Sequence, residues 1–282
     1  MPKPCLRRSA AALAIALLPG AAAANAALEN MVEICADPDR GAAEALNFCH
    51  RALDHRAMDK QPAGVRARVL LNAGIAATEL GRLDLAVDDH SRAIALDPGL
   101  AAAWLGRARA HDRLGRLNEA RADYDAAIRL APGEADAWLG RGVVRLKGGD
   151  PAGALGDFDR AVQLRPDWTA PYFNRGVAYA MTDDPARAAA DFSVVLEDNP
   201  DDVQALVRRG QARAAVGQAG AEQDFDRALA LRPDWGAGWF ARGRFHDEAG
   251  RREAANADYM RAYQLGHSDP RLIERIQAIG GG

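Results

Sequence analysis

The sequence has little excess charge of either sign. Its net charge at pH 7 is −3, and charged residues make up 27% of its 282 residues. Disordered segments and proteins that coat nucleic acid carry a much larger imbalance of charge. We therefore expect a folded chain that does not bind nucleic acid.

Motifs that carry chemistry are also missing from the sequence. It has no glycine-rich phosphate loop, no histidine pair at i and i+4, and no serine elbow. The six histidines are scattered, and His50 and His55 are too far apart to share one face of a helix. The sequence therefore predicts a protein that is not an enzyme and has no cofactor and no bound metal.

The N-terminal stretch, residues 1–26, has the layout of a secretory signal peptide. Three basic residues precede an apolar run from Ala10 to Leu18, a Pro-Gly break follows, and small residues lead to Ala26. The alternative is a membrane anchor, but spanning a bilayer takes about 20 apolar residues and this run ends too early. We expect cleavage after Ala26, no membrane insertion of the remaining chain, and a periplasmic or secreted location.

Cysteine is scarce, with only three residues in the chain. Cys5 leaves with the signal peptide, so Cys35 and Cys49 remain in a compartment where paired cysteines usually oxidise. We expect a disulfide between them, and two free buried thiols are the alternative. Asp37-Pro38 is typical of a helix start, which would carry Cys49 too far away, so the bond requires a helix that begins near Gly41.

One segment is repeated along the chain. "DFDRAVQLRPDW" at 157–168 returns as "DFDRALALRPDW" at 224–235, and prolines recur every 34 residues, with one interval of 33. A fixed period of this size indicates stacked supersecondary units. With the proline at position 32, the units are 67–100, 101–134, 135–168, 169–202, 203–235 and 236–267.

Several positions of the unit hold the same type of residue in every copy. Positions 8 and 20 are small in all six units, whereas positions 4 and 24 are large and mostly aromatic. Glycine near position 15 separates two stretches with helical apolar spacing, which predicts a helical hairpin in each unit. His90 at position 24 and His111 at position 11 occupy places where the repeat favours a large ring, so we expect them to pack rather than to act in catalysis.

This pattern resembles the tetratricopeptide repeat, whose motif has aromatic residues at positions 4 and 24, small residues at 8, 20 and 27, and proline at 32. Residues 67–267 match it, and 103–132 and 137–166 are the best copies. The resemblance implies an all-α, right-handed solenoid of helix hairpins that binds a partner and has no catalytic role. We expect residues 27–66 to form an incomplete capping hairpin and residues 268–282 a capping helix with a glycine tail.

Arginine and aspartate fill two further positions. Position 7 is arginine in every unit except the first, which has Ala73, and position 23 is aspartate in all six. We interpret them as structural ion pairs, and we expect each arginine to reach the aspartate of the preceding unit, so that Arg141 pairs with Asp123 rather than with Asp157. The residues concerned are Asp89, Arg107, Asp123, Arg141, Asp157, Arg175, Asp191, Arg209, Asp224 and Arg242.

The resemblance also implies a groove on the first helices, where positions 2, 5, 9, 12 and 13 contact ligands in tetratricopeptide proteins. Position 5 is apolar in all six units, which favours a peptide or helix with apolar anchors and an acidic end. The alternative is that this row is buried against its own neighbours. The predicted partner-binding residues are Leu105, Arg109, Arg113, Leu139, Val143, Lys147, Phe173, Val177, Met181, Phe240 and Arg244.

Two functions are compatible with this sequence. The first is an interaction module or scaffold of the cell envelope that holds a protein or peptide partner in its groove. The second is a structural spacer, or an accessory subunit of an envelope complex, without a ligand of its own.

Overall fold

The computed structural model of the chain describes residues 22–280, and these residues form fifteen α-helices and no strand. Most of the predicted signal peptide lies outside the described residues. The described residues divide into two compact bodies, one up to residue 148 and one from residue 149 onward, which we call the N-terminal and the C-terminal body. No helix among the described residues is both long and apolar enough to cross a bilayer.

The N-terminal body is a stack of antiparallel helix pairs. Consecutive helices contact each other throughout, and buried alanines let their backbones approach closely. The helices are α1 (Ala22–Ala36), α2 (Ala42–Asp54), α3 (Ala63–Glu79), α4 (Leu83–Leu96), α5 (Ala101–Arg113), α6 (Leu117–Leu130) and α7 (Ala135–Lys147).

The C-terminal body continues the same arrangement. Large aromatic side chains at position 24, such as Phe192 and Phe225, are fully or almost fully buried between neighbouring helices. The helices are α8 (Pro151–Leu164), α9 (Thr169–Met181), α10 (Pro185–Asp198), α11 (Val203–Ala215), α12 (Ala221–Leu231), α13 (Gly236–Glu248), α14 (Arg252–Gln264) and α15 (Pro270–Gly280). The all-α fold of helix hairpins predicted from the repeat is confirmed in both bodies.

The N-terminal cap is more complete than the sequence predicts. Its first helix, α1, buries Leu28 and Val32 against α2, so the cap is a full hairpin. The helix start at Asp37-Pro38 is absent, because residues 37–41 form a turn and α2 begins at Ala42.

The turn inside each hairpin requires a left-handed backbone at position 15. Glycine takes this conformation in five units, with φ between 65° and 79°. In the fourth unit the residue is Asp183, with φ 60°, the one described residue other than glycine that has a positive φ. A side chain in this region of φ and ψ costs free energy that glycine avoids.

Replacement of this aspartate gives a direct test of turn strain. We expect Asp183→Gly to raise the free energy of unfolding by about 1 kcal/mol, since the relief of strain exceeds the extra entropy of the unfolded chain. Chemical denaturation measures the change. Ala186→Gly, in the first turn of α10, is the control and should destabilise the protein by up to about 1 kcal/mol. Equal destabilisation by both variants would contradict the assignment of strain to Asp183.

Candidate functional site

Four of the five arginines at position 7 bind the aspartate of their own unit. Arg107 donates from Nε and Nη2 to the two carboxylate oxygens of Asp123, at 2.8 and 2.7 Å. The same two-bond contact joins Arg175 to Asp191, Arg209 to Asp224 and Arg242 to Asp258. The predicted pairing with the aspartate of the preceding unit is therefore wrong for these four arginines, and Asp123, which was predicted to pair with Arg141, is bound by Arg107 of its own unit.

A link between units does exist, but it uses position 25. The third nitrogen of each arginine, Nη1, donates to a serine or aspartate on the second helix of the preceding unit. The distance is 2.6 Å for Arg141 to Asp125 and 2.8 Å for Arg175 to Asp159. Arg107 to Ser91, Arg209 to Ser193 and Arg242 to Asp226 complete the series. Arg107, Arg175, Arg209 and Arg242 thus each join three helices.

The same arginines are also packed against aromatic rings. The guanidinium carbon of Arg107 lies 4.9 Å from the ring centroid of Trp104, and Arg242 lies 4.8 Å from that of Trp239. Hydrogen bonds to Asp191 are the main cause of a raised pKa for Arg175. These side chains belong to the scaffold, and their guanidinium groups offer no free pair of N–H donors to a ligand.

The first unit replaces the missing arginine with a histidine from the cap. Asp89 is fully buried, and its Oδ2 lies 3.0 Å from Nε2 of His50 on α2. Burial raises the pKa of Asp89, and the contact with His50 opposes that rise. His50 comes directly after Cys49, which lies near position 24, so His50 corresponds to position 25 of the cap. Alignment of the cap with the repeat could therefore have identified this residue from the sequence.

A second basic residue approaches the aspartate of position 23 in three units. His246 Nε2 lies 3.5 Å from Oδ2 of Asp258, and His111 Nε2 lies 3.9 Å from Oδ2 of Asp123. Arg213 does the same for Asp224 at 2.8 Å. Burial is the main cause of a lowered pKa at both histidines, so these side chains belong to the packing of the repeat.

The apolar row at position 5 is not an open stripe. Leu71, Val207 and Phe240 are buried, and the predicted ligand contacts Leu105, Leu139 and Phe173 are half-buried. The ring of Phe173 packs edge-on against Phe192, with 5.6 Å between centroids, and Phe240 lies 5.8 Å from Tyr259. Most of this row therefore packs against its own neighbours, which was the alternative interpretation.

In the N-terminal body, the predicted cations of the groove are bound within the protein. Arg109 donates to Asp136 at 2.7 Å, and Lys147 donates to both oxygens of Asp112 at 2.6 and 2.8 Å. Arg113 donates to the carbonyl oxygen of Thr78. Each contact joins the first helices of adjacent units, so these residues connect the stack. Val143 stands half-buried on α7.

The C-terminal body has a different first-helix face. On α9 and α11, positions 9, 12 and 13 carry no charge, and Met181 is 55% exposed beside the half-buried Val177. We call this set the α9–α11 surface; it consists of Val177, Ala180, Met181, Gln211, Ala214 and Ala215. A cleft of about 300 Å³ lies in the same body, lined by Phe173, Asn174, Val195, Gln204 and neighbouring residues.

The far end of the predicted groove carries charge. Arg244 on α13 is exposed and donates to Glu248 at 3.0 Å, one turn further along the helix. An exposed pair of this kind contributes little to stability, so Arg244 can exchange partners at small cost. No cluster of metal-binding side chains occurs among residues 22–280.

Comparison with known families agrees with the repeat. Residues 71–135 and 105–171 match the family model of the tetratricopeptide repeat. The sequence matches none of the curated proteins. The similarity to the tetratricopeptide repeat thus covers residues 71–171, and no catalytic family is indicated.

Solved structures extend the likeness beyond the matched residues. A tetratricopeptide repeat protein from Parabacteroides merdae has a TM-score of 0.63 and 18% identity, over 88% of this chain and 97% of that one. PilF of Pseudomonas aeruginosa has a TM-score of 0.64 and 17% identity, over 75% and 96%. YrrB, described as a repeat protein with an unusual peptide-binding site, has a TM-score of 0.59 and 23% identity, over 66% and 96%. At these identities the likeness shows the fold.

Proposed function

We propose that this chain is a non-enzymatic scaffold that holds a protein segment on the α9–α11 surface. The observation that carries the proposal is the exposed, uncharged face around Met181, which contrasts with the internally paired charges of the N-terminal body. An exposed thioether on an apolar face suits adaptable contacts with a partner's apolar side chains. The peptide-binding site named for YrrB lends support by analogy of fold.

The chemistry of this surface defines the partner. Val177 and Met181 offer apolar contacts, Gln211 offers a hydrogen bond, and Arg244 on the next first helix offers a charge. A segment with two or three apolar side chains followed by an acidic residue fits this order. Extended peptides and amphipathic helices both satisfy it.

We also propose that the protein works in the periplasm or outside the cell. Cys35 and Cys49 form a disulfide, with 4.8 Å between their Cα atoms, and such bonds persist in oxidising compartments. Cleavage after Ala26 would keep Leu28, a fully buried residue of the first hairpin. The mature chain would thus retain the whole described core.

A structural role remains a second candidate for the N-terminal body. The cations of its groove form contacts between neighbouring units, and do not face solvent unpaired. Contacts of this kind are what a structural spacer requires. In that case one half of the chain sets a distance and the other half binds the partner.

Replacement of Met181 tests the binding surface. We expect Met181→Glu to weaken partner binding at least about tenfold, because a buried methionine contributes about 1.5–3 kcal/mol to an apolar contact. A photo-crosslinking amino acid at position 181 in living cells, with crosslinked segments mapped by mass spectrometry, first identifies the partner segment. Titration of that segment then compares the affinity of the wild type with that of Met181→Glu. Position 130 is the control, since Leu130 is 45% exposed on α6.

The outcome separates the two candidates. Crosslinks from position 181 to one partner segment with apolar and acidic residues, absent from position 130, support the binding surface. The same products from both positions, or none from position 181, would reject it in favour of the spacer.

A further inference from the structure

A cleft of about 390 Å³ lies between the last three helices that the structure describes. Phe240 and Arg244 line it from α13, Tyr259 from α14, and Arg271 and Arg275 from α15. We call it the α13–α15 cleft. Helix α15 thus adds two arginines to the end of the first-helix face on which Arg244 lies.

Tyr259 brings a donor without an acceptor to this cleft. The residue is only 5% exposed, and its hydroxyl forms no hydrogen bond within residues 22–280. Burial, and then the charge of Asp247, raise the pKa of Tyr259, so the hydroxyl remains a donor at neutral pH. Packing alone does not require this hydroxyl, because three other units hold phenylalanine at the same position, namely Phe158, Phe192 and Phe225.

The arginines of the cleft have further donors available. A guanidinium has five N–H groups, and Arg244 uses one of them on Glu248. Arg275 uses one on Asp247. Its Nε is buried and lacks an acceptor in the part of the chain that the structure describes. The cleft therefore lacks a group that accepts several hydrogen bonds.

The charge of the lining narrows the class of group that fits. Three lining residues are arginines and two, Asp247 and Glu274, are acidic, which leaves one net positive charge. A carboxylate balances this charge, whereas a phosphate group carries about −1.5 to −2 at neutral pH. The ring of Phe240, whose centroid lies 5.8 Å from the guanidinium carbon of Arg271, adds an apolar part for a neighbouring side chain.

We propose that the α13–α15 cleft binds a carboxylate of the partner segment, with the Tyr259 hydroxyl and the Arg244 guanidinium as its donors. The proposal rests on the proposed function, in which the α9–α11 surface holds the apolar part of the same segment. Arg244 exchanges Glu248 for this carboxylate at small cost, because their pair is exposed. The carboxylate belongs to the C-terminus of the segment or to an acidic side chain.

Small probes test the cleft without the partner. We expect N-acetyl-phenylalanine, which joins a carboxylate to a ring, to bind more tightly than its neutral amide in an NMR titration of the protein. Tyr259→Phe should weaken binding of the acid at least about tenfold and leave the amide unaffected, because a hydrogen bond to a charged group is lost. Arg244→Gln should have the same selective effect. Tyr124→Phe is the matched control, since Tyr124 holds position 24 of the second unit, outside the cleft.

A second probe identifies the source of the carboxylate. The α-amide of N-acetyl-phenylalanyl-glutamate has its only carboxylate on a side chain, so tighter binding of this probe supports an acidic side chain and tighter binding of the first supports a C-terminus. Equal affinity for acid and amide, no binding of either acid at millimolar concentration, or equal effects of Tyr259→Phe and Tyr124→Phe would overturn the proposal. Crosslinks from position 181 do not involve this cleft, so a failed titration beside positive crosslinks would reject the cleft and keep the α9–α11 surface.

Discussion

His90→Phe should stabilise the protein at neutral pH and remove much of its sensitivity to acid. His90 is fully buried, and neither of its ring nitrogens has a hydrogen-bond partner. An unsatisfied buried polar group costs about 1–3 kcal/mol, so we expect a gain of that size at pH 7.5. A phenyl ring fits here, because the second unit holds the larger ring of Tyr124 at the same position, close to Gly140.

The pH dependence follows from the lowered pKa of His90. Burial first, and then the charges of Arg107 and Arg109, lower this pKa from 6.5 to about 4. In this window the unfolded chain binds the proton and the folded chain does not. With respect to His90, the protein therefore has its full stability above pH 6.5, and it loses stability as the pH falls towards 4. At about 1.4 kcal/mol per pKa unit, the loss across the window is about 3 kcal/mol.

Denaturant unfolding of both proteins at pH 7.5 and 4.5 measures the effect. The difference between the variant and the wild type should be larger at the lower pH. His55→Phe, at a half-buried residue that follows α2, is the control for the gain in apolar volume, and it also removes the hydrogen bond that Ala57 N donates to Nδ1. If the variant loses stability with acid as steeply as the wild type, groups other than His90 cause the acid sensitivity. His111 and His246 would then be the next residues to test, since burial also lowers their pKa.

Reduction of the disulfide should destabilise the first hairpin by about 3 kcal/mol, the value expected when a bond closes a loop of about 15 residues. Cys35 and Cys49 are separated by 14 positions and join the end of α1 to α2. After cleavage at Ala26, α1 would keep only ten residues, too few for a stable isolated helix. Packing of Met31 and Val32 would then be its main attachment.

Thermal unfolding with and without reductant measures this contribution, and hydrogen exchange locates it in α1. A chain that begins at Ala27 contains no other cysteine, so in that chain the reductant acts on this bond alone. The matched control is Cys35→Ala with Cys49→Ala, which should behave like the reduced protein and ignore the reductant. Equal exchange in α1 in the oxidised and the reduced protein would show that packing alone holds the helix.

The sequence predicts the hairpins well, because a residue type that returns every 34 positions must serve the same contact in each unit. The sequence does not determine which of two neighbouring units supplies the aspartate that an arginine contacts. Arg141 lies 18 residues after Asp123 and 16 before Asp157, and a strict period makes both choices repeat equally well. The choice depends on the rotation of the first helix against the two second helices beside it, which a pattern of letters does not contain.

The sequence also did not predict how exposed the residues of the groove are. Position 5 is apolar in every unit, yet its burial varies with the size of neighbouring rings, such as Phe192 beside Phe173. The pairing of Lys147 with Asp112 required two first helices to lie side by side, at a separation of 35 residues. By contrast, His50 could have been found, because aligning the cap with the repeat puts it at position 25, where the other units hold a partner for arginine.

The contact between His50 and Asp89 has a consequence for how the stack melts. In a linear array each unit is held by its own stability and by coupling to its neighbours, so unfolding starts at the weakest boundary and spreads from there. The first boundary is bridged by an imidazole, whereas at the next one the guanidinium of Arg107 donates three hydrogen bonds to Asp123 and Ser91. When this boundary opens, the first hairpin, tied within itself by a disulfide, leaves the array as one intact piece.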